Sequence, residues 1–182
     1  MPFHINSGRL LGASWIASPN YDARPGLLVD LIVIHGISLP PNQFGSDGVV
    51  KLFTNQLDPK QNPYYQGLQG LRVSAHLFIR RDGSVIQFVN FNDRAWHAGL
   101  SSYQGRSGCN DFSIGIELEG ADHICYTAVQ YQQLASCIKA LFDAYPGLLT
   151  GKVLGHSDIA PGRKTDPGPL FNWQALKRLL QN

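Results

Sequence analysis

Leu28-Val29-Asp30-Leu31-Ile32-Val33-Ile34-His35 is a short, almost wholly apolar run that stops on a histidine. A run of this length, rich in β-branched residues and bounded by turn chemistry, reads as a strand buried on both faces. Such strands lie inside sheets that helices cover on both sides. Arg24-Pro25-Gly26 precedes it, and Gly36 to Gly48 follows as a loop with Pro40, Pro41 and Gly45. A second stretch, Phe112-Ser113-Ile114-Gly115-Ile116-Glu117-Leu118-Glu119, alternates strictly. Phe112, Ile114, Ile116 and Leu118 share one face of a strand; Ser113, Gly115, Glu117 and Glu119 share the other.

The remaining chain arranges itself around these two strands. Thr127 to Tyr145 is the best helix: Thr127 and Gln130 form a T-x-x-Q capping box, Leu134, Ile138, Leu141, Phe142 and Tyr145 recur at helical spacing, and Pro146-Gly147 ends it. Leu71 to Ile79 and Ser84 to Val89 are β-like runs joined by Arg80-Arg81-Asp82-Gly83, a hairpin signature. Val49 to Leu57 reads as a short helix. Val153-Leu154 reads as a last strand leading to His156, Asp158 to Pro169 as a loop, and Asn172 as the cap of a helix through Leu180. The first 27 residues read as an irregular arm, and Phe91 to Asn110 as one long loop. The order predicts a mixed α/β fold, a central mixed sheet flanked by helices, in a single domain over 1–182.

Composition narrows the function. The 182 residues carry 15 basic and 13 acidic side chains, a net charge of +2, too small to favour nucleic acid or an anionic membrane as partner. Cys109, Cys125 and Cys137 are odd in number and widely spaced, which argues against a disulfide framework and fits a reducing compartment. No apolar stretch approaches the length of a membrane span. The expectation is a cytoplasmic monomer acting on a small molecule.

Two of the six histidines, His35 and His156, sit where an apolar run gives way to a loop. Asp166 follows His156 by ten residues in a loop that Pro161, Gly162, Pro167 and Gly168 could stiffen. Two histidines and a carboxylate, with a fourth position left to water, make a catalytic zinc set. A histidine beside an apolar strand is more often a core or surface residue than a ligand, and Asp158, His76 and His97 are rivals on spacing alone. His76, between Ala75 and Leu77, reads better as a hydrogen-bonded sheet residue. Glu117 and Glu119 are both candidate acid/base groups, and periodicity does not choose between them. Lys164, two residues before Asp166, could stabilise a developing oxyanion.

The segments Val33-Ile34-His35, Val73-Ser74-Ala75-His76, Ala95-Trp96-His97-Ala98-Gly99, Asn110 to Gly120, and Gly155-His156-Ser157-Asp158-Ile159-Ala160-Pro161 through Asp166-Pro167-Gly168 occur in this order. Together they resemble the zinc-dependent N-acetylmuramoyl-L-alanine amidases, and within them the cytosolic 1,6-anhydro-muropeptide branch, from about Trp15 to Trp173. The resemblance implies one zinc held by His35, His156 and Asp166, with Glu117 and Lys164 catalytic. It implies cleavage of the amide between the lactyl group of 1,6-anhydro-N-acetylmuramic acid and L-alanine in soluble muropeptides. It places substrate contacts on Tyr64, Arg72, Trp96 and Arg106, the arginines binding peptide carboxylates. Close relatives usually have Asn after the first zinc histidine; Gly36 stands there here, which removes that contact. Two rival readings remain. A non-catalytic peptidoglycan-recognition module would typically lack one of the three ligands. A lytic amidase acting on intact wall would carry an export signal, a wall-anchoring module or a strongly basic surface.

Overall fold

A computed structural model describes residues 3–26, 28–149 and 152–181. Two short antiparallel strands open the chain, β1 (His4–Asn6) and β2 (Arg9–Leu11); β3 (Ser14–Trp15) and β4 (Tyr21–Ala23) follow. Next come β5 (Leu31–Ile37), α1 (Gly48–Phe53) and α2 (Pro63–Gln66). The hairpin strands are β6 (Leu77–Ile79) and β7 (Val85–Gln87). After β8 (Asp93–Ala95), β9 (Ser102–Tyr103) and β10 (Arg106–Ser107) comes β11 (Ser113–Glu119). The chain closes with α3 (Ala128–Ala144), β12 (Lys152–Gly155), α4 (His156–Ile159) and α5 (Trp173–Gln181).

Six strands form one sheet in the order β12-β5-β11-β6-β7-β3. The first four run parallel, β6 and β7 pair antiparallel, and β3 lies parallel to β7. The expected mixed sheet is therefore present. The interior strands β5 and β11 are buried on both faces because each face meets its own core. Ile32, Ile34, Ile114, Ile116 and Leu118 pack against Leu134, Ile138 and Leu141 of α3. On the opposite side, Leu31 and Val33 meet Ala98, Phe112 and Ile159, while Phe78 and Phe88 pack with Leu52 and Phe53 of α1.

Local chemistry sets the boundaries. The Thr127 hydroxyl accepts the Gln130 N–H at 3.2 Å, and the Gln130 side chain accepts the Thr127 N–H at 3.0 Å, closing the expected capping box. Gly83 takes φ +86° in the β6–β7 turn, where a side chain would be strained. Asn172 caps α5 by accepting the Ala175 N–H at 2.9 Å.

Three expectations need correction. The arm is not irregular: it carries β1 to β4, and β3 is an edge strand of the main sheet. Its residues 1–2 and 27 lie outside the described residues. The 91–110 stretch holds β8 and the β9–β10 hairpin. In both cases strands of two or three residues are too short to show a period. Leu71 to His76 does not belong to the hairpin strand, because the Ser74 N–H goes to the Trp96 carbonyl instead.

Candidate functional site

The register of the parallel strands builds the site. Glu117 of β11 pairs with His35 of β5, and Gly155 of β12 pairs with Ile34. All three strands thus finish at one edge of the sheet, where clefts form in open α/β folds. His156, the first residue after β12, arrives beside His35. Asp166 is brought back to the same point by its own backbone: the Ser157 N–H donates to the Asp166 carbonyl at 2.9 Å. The Tyr126 hydroxyl donates to the next carbonyl, that of Pro167, also at 2.9 Å.

Three electron-rich atoms converge as a result. His35 Nδ1 and His156 Nδ1 are 2.9 Å apart, and Asp166 Oδ2 lies 3.1 Å from the second and 3.3 Å from the first. Both imidazoles spend their other nitrogen elsewhere, His35 Nε2 on His97 Nδ1 at 2.9 Å and His156 Nε2 on the Ala98 carbonyl at 3.2 Å. Burial lowers the His35 pKa to about 4, so its ring is neutral near pH 7. Two lone pairs and a carboxylate oxygen facing each other at this range repel unless a cation sits among them. Ligands about 2.0–2.2 Å from a tetrahedral zinc are about 3.3–3.5 Å apart, close to the separations here. The donor set therefore fits a zinc-like ion, and these three are the one such group of His, Cys, Asp or Glu among the described residues.

The rival ligands are occupied otherwise. Asp158 accepts the Gly155 N–H at 2.8 Å and so caps α4. His76 lies just before β6 rather than in it, but it is hydrogen-bonded as expected: its Nδ1 accepts the Gly115 N–H at 3.0 Å, and its Nε2 lies 3.1 Å from the Asp93 carbonyl. His97 bonds to His35 rather than joining the three converging atoms.

The two glutamates separate clearly. Glu119 accepts the Gly45 N–H with one oxygen and the Arg81 N–H, at 3.0 Å, with the other. Glu117 is 9 % exposed, and its Oε2 is buried with no partner. Burial, and then the charge of Asp166, push its carboxyl well above the ordinary range, while nearby Lys164 pulls it down. A high pKa and an unsatisfied oxygen mark a group poised to exchange a proton.

Glu117, Lys164 and Asp166 line a cleft of 480 Å³ together with Tyr64, Arg72 and Trp96. Tyr64 and Arg72 are exposed on its rim. Arg106, unlike Tyr64, Arg72 and Trp96, does not line the cleft. Its two terminal nitrogens pair with the Asp30 carboxylate, both at 3.0 Å, and its guanidinium covers the Phe112 ring. At Gly36 an added Cβ would lie 2.2 Å from the Tyr126 hydroxyl oxygen, so the missing side chain leaves room that Tyr126 fills. Tyr126, and Asn110, whose Oδ1 accepts the N–H groups of His97 and Ala98, escaped sequence reasoning, because both act through contacts across many residues and leave no local pattern.

Residues 24–169 match the family model described as N-acetylmuramoyl-L-alanine amidase. The chain belongs to that family. It is 52% identical over 177 residues to the 1,6-anhydro-N-acetylmuramyl-L-alanine amidase AmpD of Escherichia coli (strain K12), covering 97% of this chain and 96% of that one. The crystal structure of a selenomethionine AmpD derivative superposes with a TM-score of 0.94 at 52% identity, over 97% of this chain and 98% of that chain. AmiD from E. coli, solved in complex with anhydro-N-acetylmuramic acid-L-Ala-D-gamma-Glu-L-Lys, matches with a TM-score of 0.57 at 27% identity, over 98% of this chain and 65% of that chain. The family and the mixed α/β fold expected from the motifs are thus borne out over nearly the whole chain, and the protein is an amidase.

Proposed function

We propose that this amidase hydrolyses the bond between the lactyl group of 1,6-anhydro-N-acetylmuramic acid and the L-alanine of soluble muropeptides, as part of peptidoglycan recycling. The observation that carries the reading is the convergence of His35 Nδ1, His156 Nδ1 and Asp166 Oδ2 beside the partnerless oxygen of Glu117. His35, His156 and Asp166 would hold one zinc ion. When bound, zinc supplies a Lewis acid that polarises the scissile carbonyl and lowers the pKa of water.

The chain's own residues do the rest. Glu117 takes the proton of the attacking water and passes it to the leaving amine; its raised pKa lets it serve as base and then as acid. Lys164, exposed at the cleft edge, sets its ammonium against the charge that develops on the carbonyl oxygen. Trp96 and Tyr64 offer aromatic surface to the anhydro sugar, and Arg72 offers a cation to a peptide carboxylate. A bicyclic anhydro ring suits such a surface better than a reducing sugar, whose extra hydroxyls the aromatics cannot satisfy.

The substrate is a soluble fragment met in the cytoplasm by a monomer. Three free thiols, Cys109, Cys125 and Cys137, support a reducing compartment. No helix among the described residues is long and apolar enough to cross a membrane, and neither nucleic acid nor membrane is a partner in this reading. The test is mass spectrometry of products from anhydro-muropeptides, matching reducing muropeptides and purified sacculi, each with and without a chelator. The expected result is chelator-sensitive release of stem peptide, fastest from the anhydro form. Equal rates on both soluble forms, or rapid clearing of sacculi, would overturn the recycling assignment in favour of a lytic amidase. Activity that survives complete zinc removal would overturn the metal assignment.

A further inference from the structure

His97 and Ala98 touch both ligand histidines, from adjacent positions in one backbone segment. The His97 ring meets His35, and the Ala98 carbonyl meets His156. Tracing the protons fixes the direction of each bond. The Ser113 hydroxyl carries one proton, and its short contact with the Cys109 carbonyl requires that proton, since a carbonyl can only accept. The Ser113 oxygen must then accept from His97 Nε2, 3.2 Å away. With its proton on Nε2, neutral His97 has an acceptor at Nδ1, and His35 Nε2 must donate to it. That leaves His35 Nδ1 without a proton, facing the metal position. The Ala98 carbonyl likewise accepts from His156 Nε2 and frees His156 Nδ1.

The segment is pinned where it stands. Asn110 Oδ1 accepts the N–H groups of both His97 and Ala98, at 3.1 and 2.8 Å. Arg163 donates to the Ala98 carbonyl at 2.7 Å. Gly115 clears the space for the His97 ring: a Cβ there would lie 2.4 Å from the ring's Cγ. Ser113 and Gly115 thus share the polar face of β11 with Glu117 for a common purpose.

We propose that the His97–Ala98 dipeptide, oriented through Ser113 and Asn110, is the positioning element that sets the tautomer of both ligand histidines, so that each offers Nδ1 to the ion. The proposal rests on the reading of His35, His156 and Asp166 as a zinc site. His97 is a positioning residue in it, acting on the reaction through His35. Outer partners of this kind commonly govern metal affinity by about 10–100-fold.

The test measures zinc dissociation constants by competition with a chromophoric chelator for wild type, His97→Phe, His97→Gln and Ser113→Ala. His97→Phe keeps a ring in the space over Gly115 but removes the acceptor; affinity should fall about 10–100-fold. His97→Gln restores an acceptor and should recover part of that loss. Ser113→Ala should weaken binding less than His97→Phe, and its effect should vanish in the His97→Phe background. Long-range ¹H–¹⁵N spectra of zinc-loaded wild type should show both ligand rings protonated on Nε2. A proton on Nδ1 of either ring, or wild-type affinity in a folded His97→Phe, overturns the proposal. If His97→Phe does not fold, the Ser113→Ala affinity and the wild-type spectra decide. Failure of wild type itself to bind zinc would strike the metal reading instead, so the two failures are distinguishable.

Discussion

The two faces of β11 are equally buried and chemically opposite. Ile114, Ile116 and Leu118 look toward α3 and join its apolar cluster. Ser113, Gly115, Glu117 and Glu119 look the other way and are buried too: Ser113 is 0% accessible, Glu119 3% and Glu117 9%. A polar face can be buried only when its groups find partners. Ser113 has Cys109 and His97, the Gly115 N–H has His76, and Glu119 has Gly45 and Arg81. Glu117 alone keeps an oxygen without one. The apolar face therefore holds the sheet together, and the polar face offers the proposed chemistry its group at the position where satisfaction stops.

The largest effect that comparison predicts lies at Glu117. Glu117→Gln preserves shape but cannot take a proton, so kcat should fall about 10²–10⁴-fold. Zinc content and KM should change little, because no ligand and no substrate anchor is altered. Steady-state kinetics with metal analysis checks this. Full kcat in the glutamine variant would remove the base and leave Glu117 as one more buried polar group.

How much of this was legible in the sequence depends on how local its cause is. β5 announces itself because four successive residues, Leu31 to Ile34, are wholly buried and apolar. The capping box of α3 and the Asp82-Gly83 turn are legible because each closes over three or four residues. His35 and His156 could be picked out as strand-end histidines, but their meeting depends on the parallel pairing of β5 with β12. Asp166 reaches them through a backbone bond to Ser157 that no spacing rule contains. Asp158 matches the ligand spacing as a rival, and only its bond to the Gly155 N–H, which caps α4, sets it apart. Alternation put Glu117 and Glu119 on one face and could go no further, since what separates them is a pair of N–H groups from Gly45 and Arg81. The pairing of Arg106 with Asp30 was hidden for the same reason: the two are 76 residues apart in the chain.

The polar face should also set the acid limit of the fold. His76 receives the Gly115 N–H on Nδ1, and burial, with Arg24 adding to it, holds its pKa down to about 3 from 6.5. The unfolded chain therefore binds a proton that the folded one refuses. The stabilisation is complete above pH 6.5 and is lost as pH falls toward 3, at up to about 1.4 kcal/mol per pH unit. Urea unfolding of metal-free protein between pH 7 and 4.5 should show a shallower slope for His76→Gln than for wild type, by up to one proton. Parallel slopes would mean that His76 titrates as it does in water.

Glu119→Gln comes next in size. The amide sets a buried NH2 group against one of the two N–H donors and leaves that NH2 without an acceptor, at a cost of about 1–3 kcal/mol in stability. The Gly45 loop it holds borders the cleft near Ser38 and Leu39, so KM should rise somewhat while kcat stays within a few-fold of wild type. A kcat loss as deep as that of Glu117→Gln would mean that both carboxylates share the proton transfer.

The smallest effect belongs to the apolar face. Ile116 sits between Gly115 and Glu117, as near the site in sequence as any residue, yet its side chain is fully buried against α3. Ile116→Val removes one methylene and leaves the strand's β-branched character intact, so the backbone that positions Glu117 has no reason to move. Lost burial and the small cavity should cost about 0.5–1.5 kcal/mol of stability. Denaturant melts should show a lower midpoint with the same slope, and kcat/KM, zinc affinity and the pH profile should match wild type. If that single methylene instead reduced kcat, β11 would be transmitting strain from its packing face to its chemical face. The division of labour between the two faces would then be wrong, even with every zinc ligand in place.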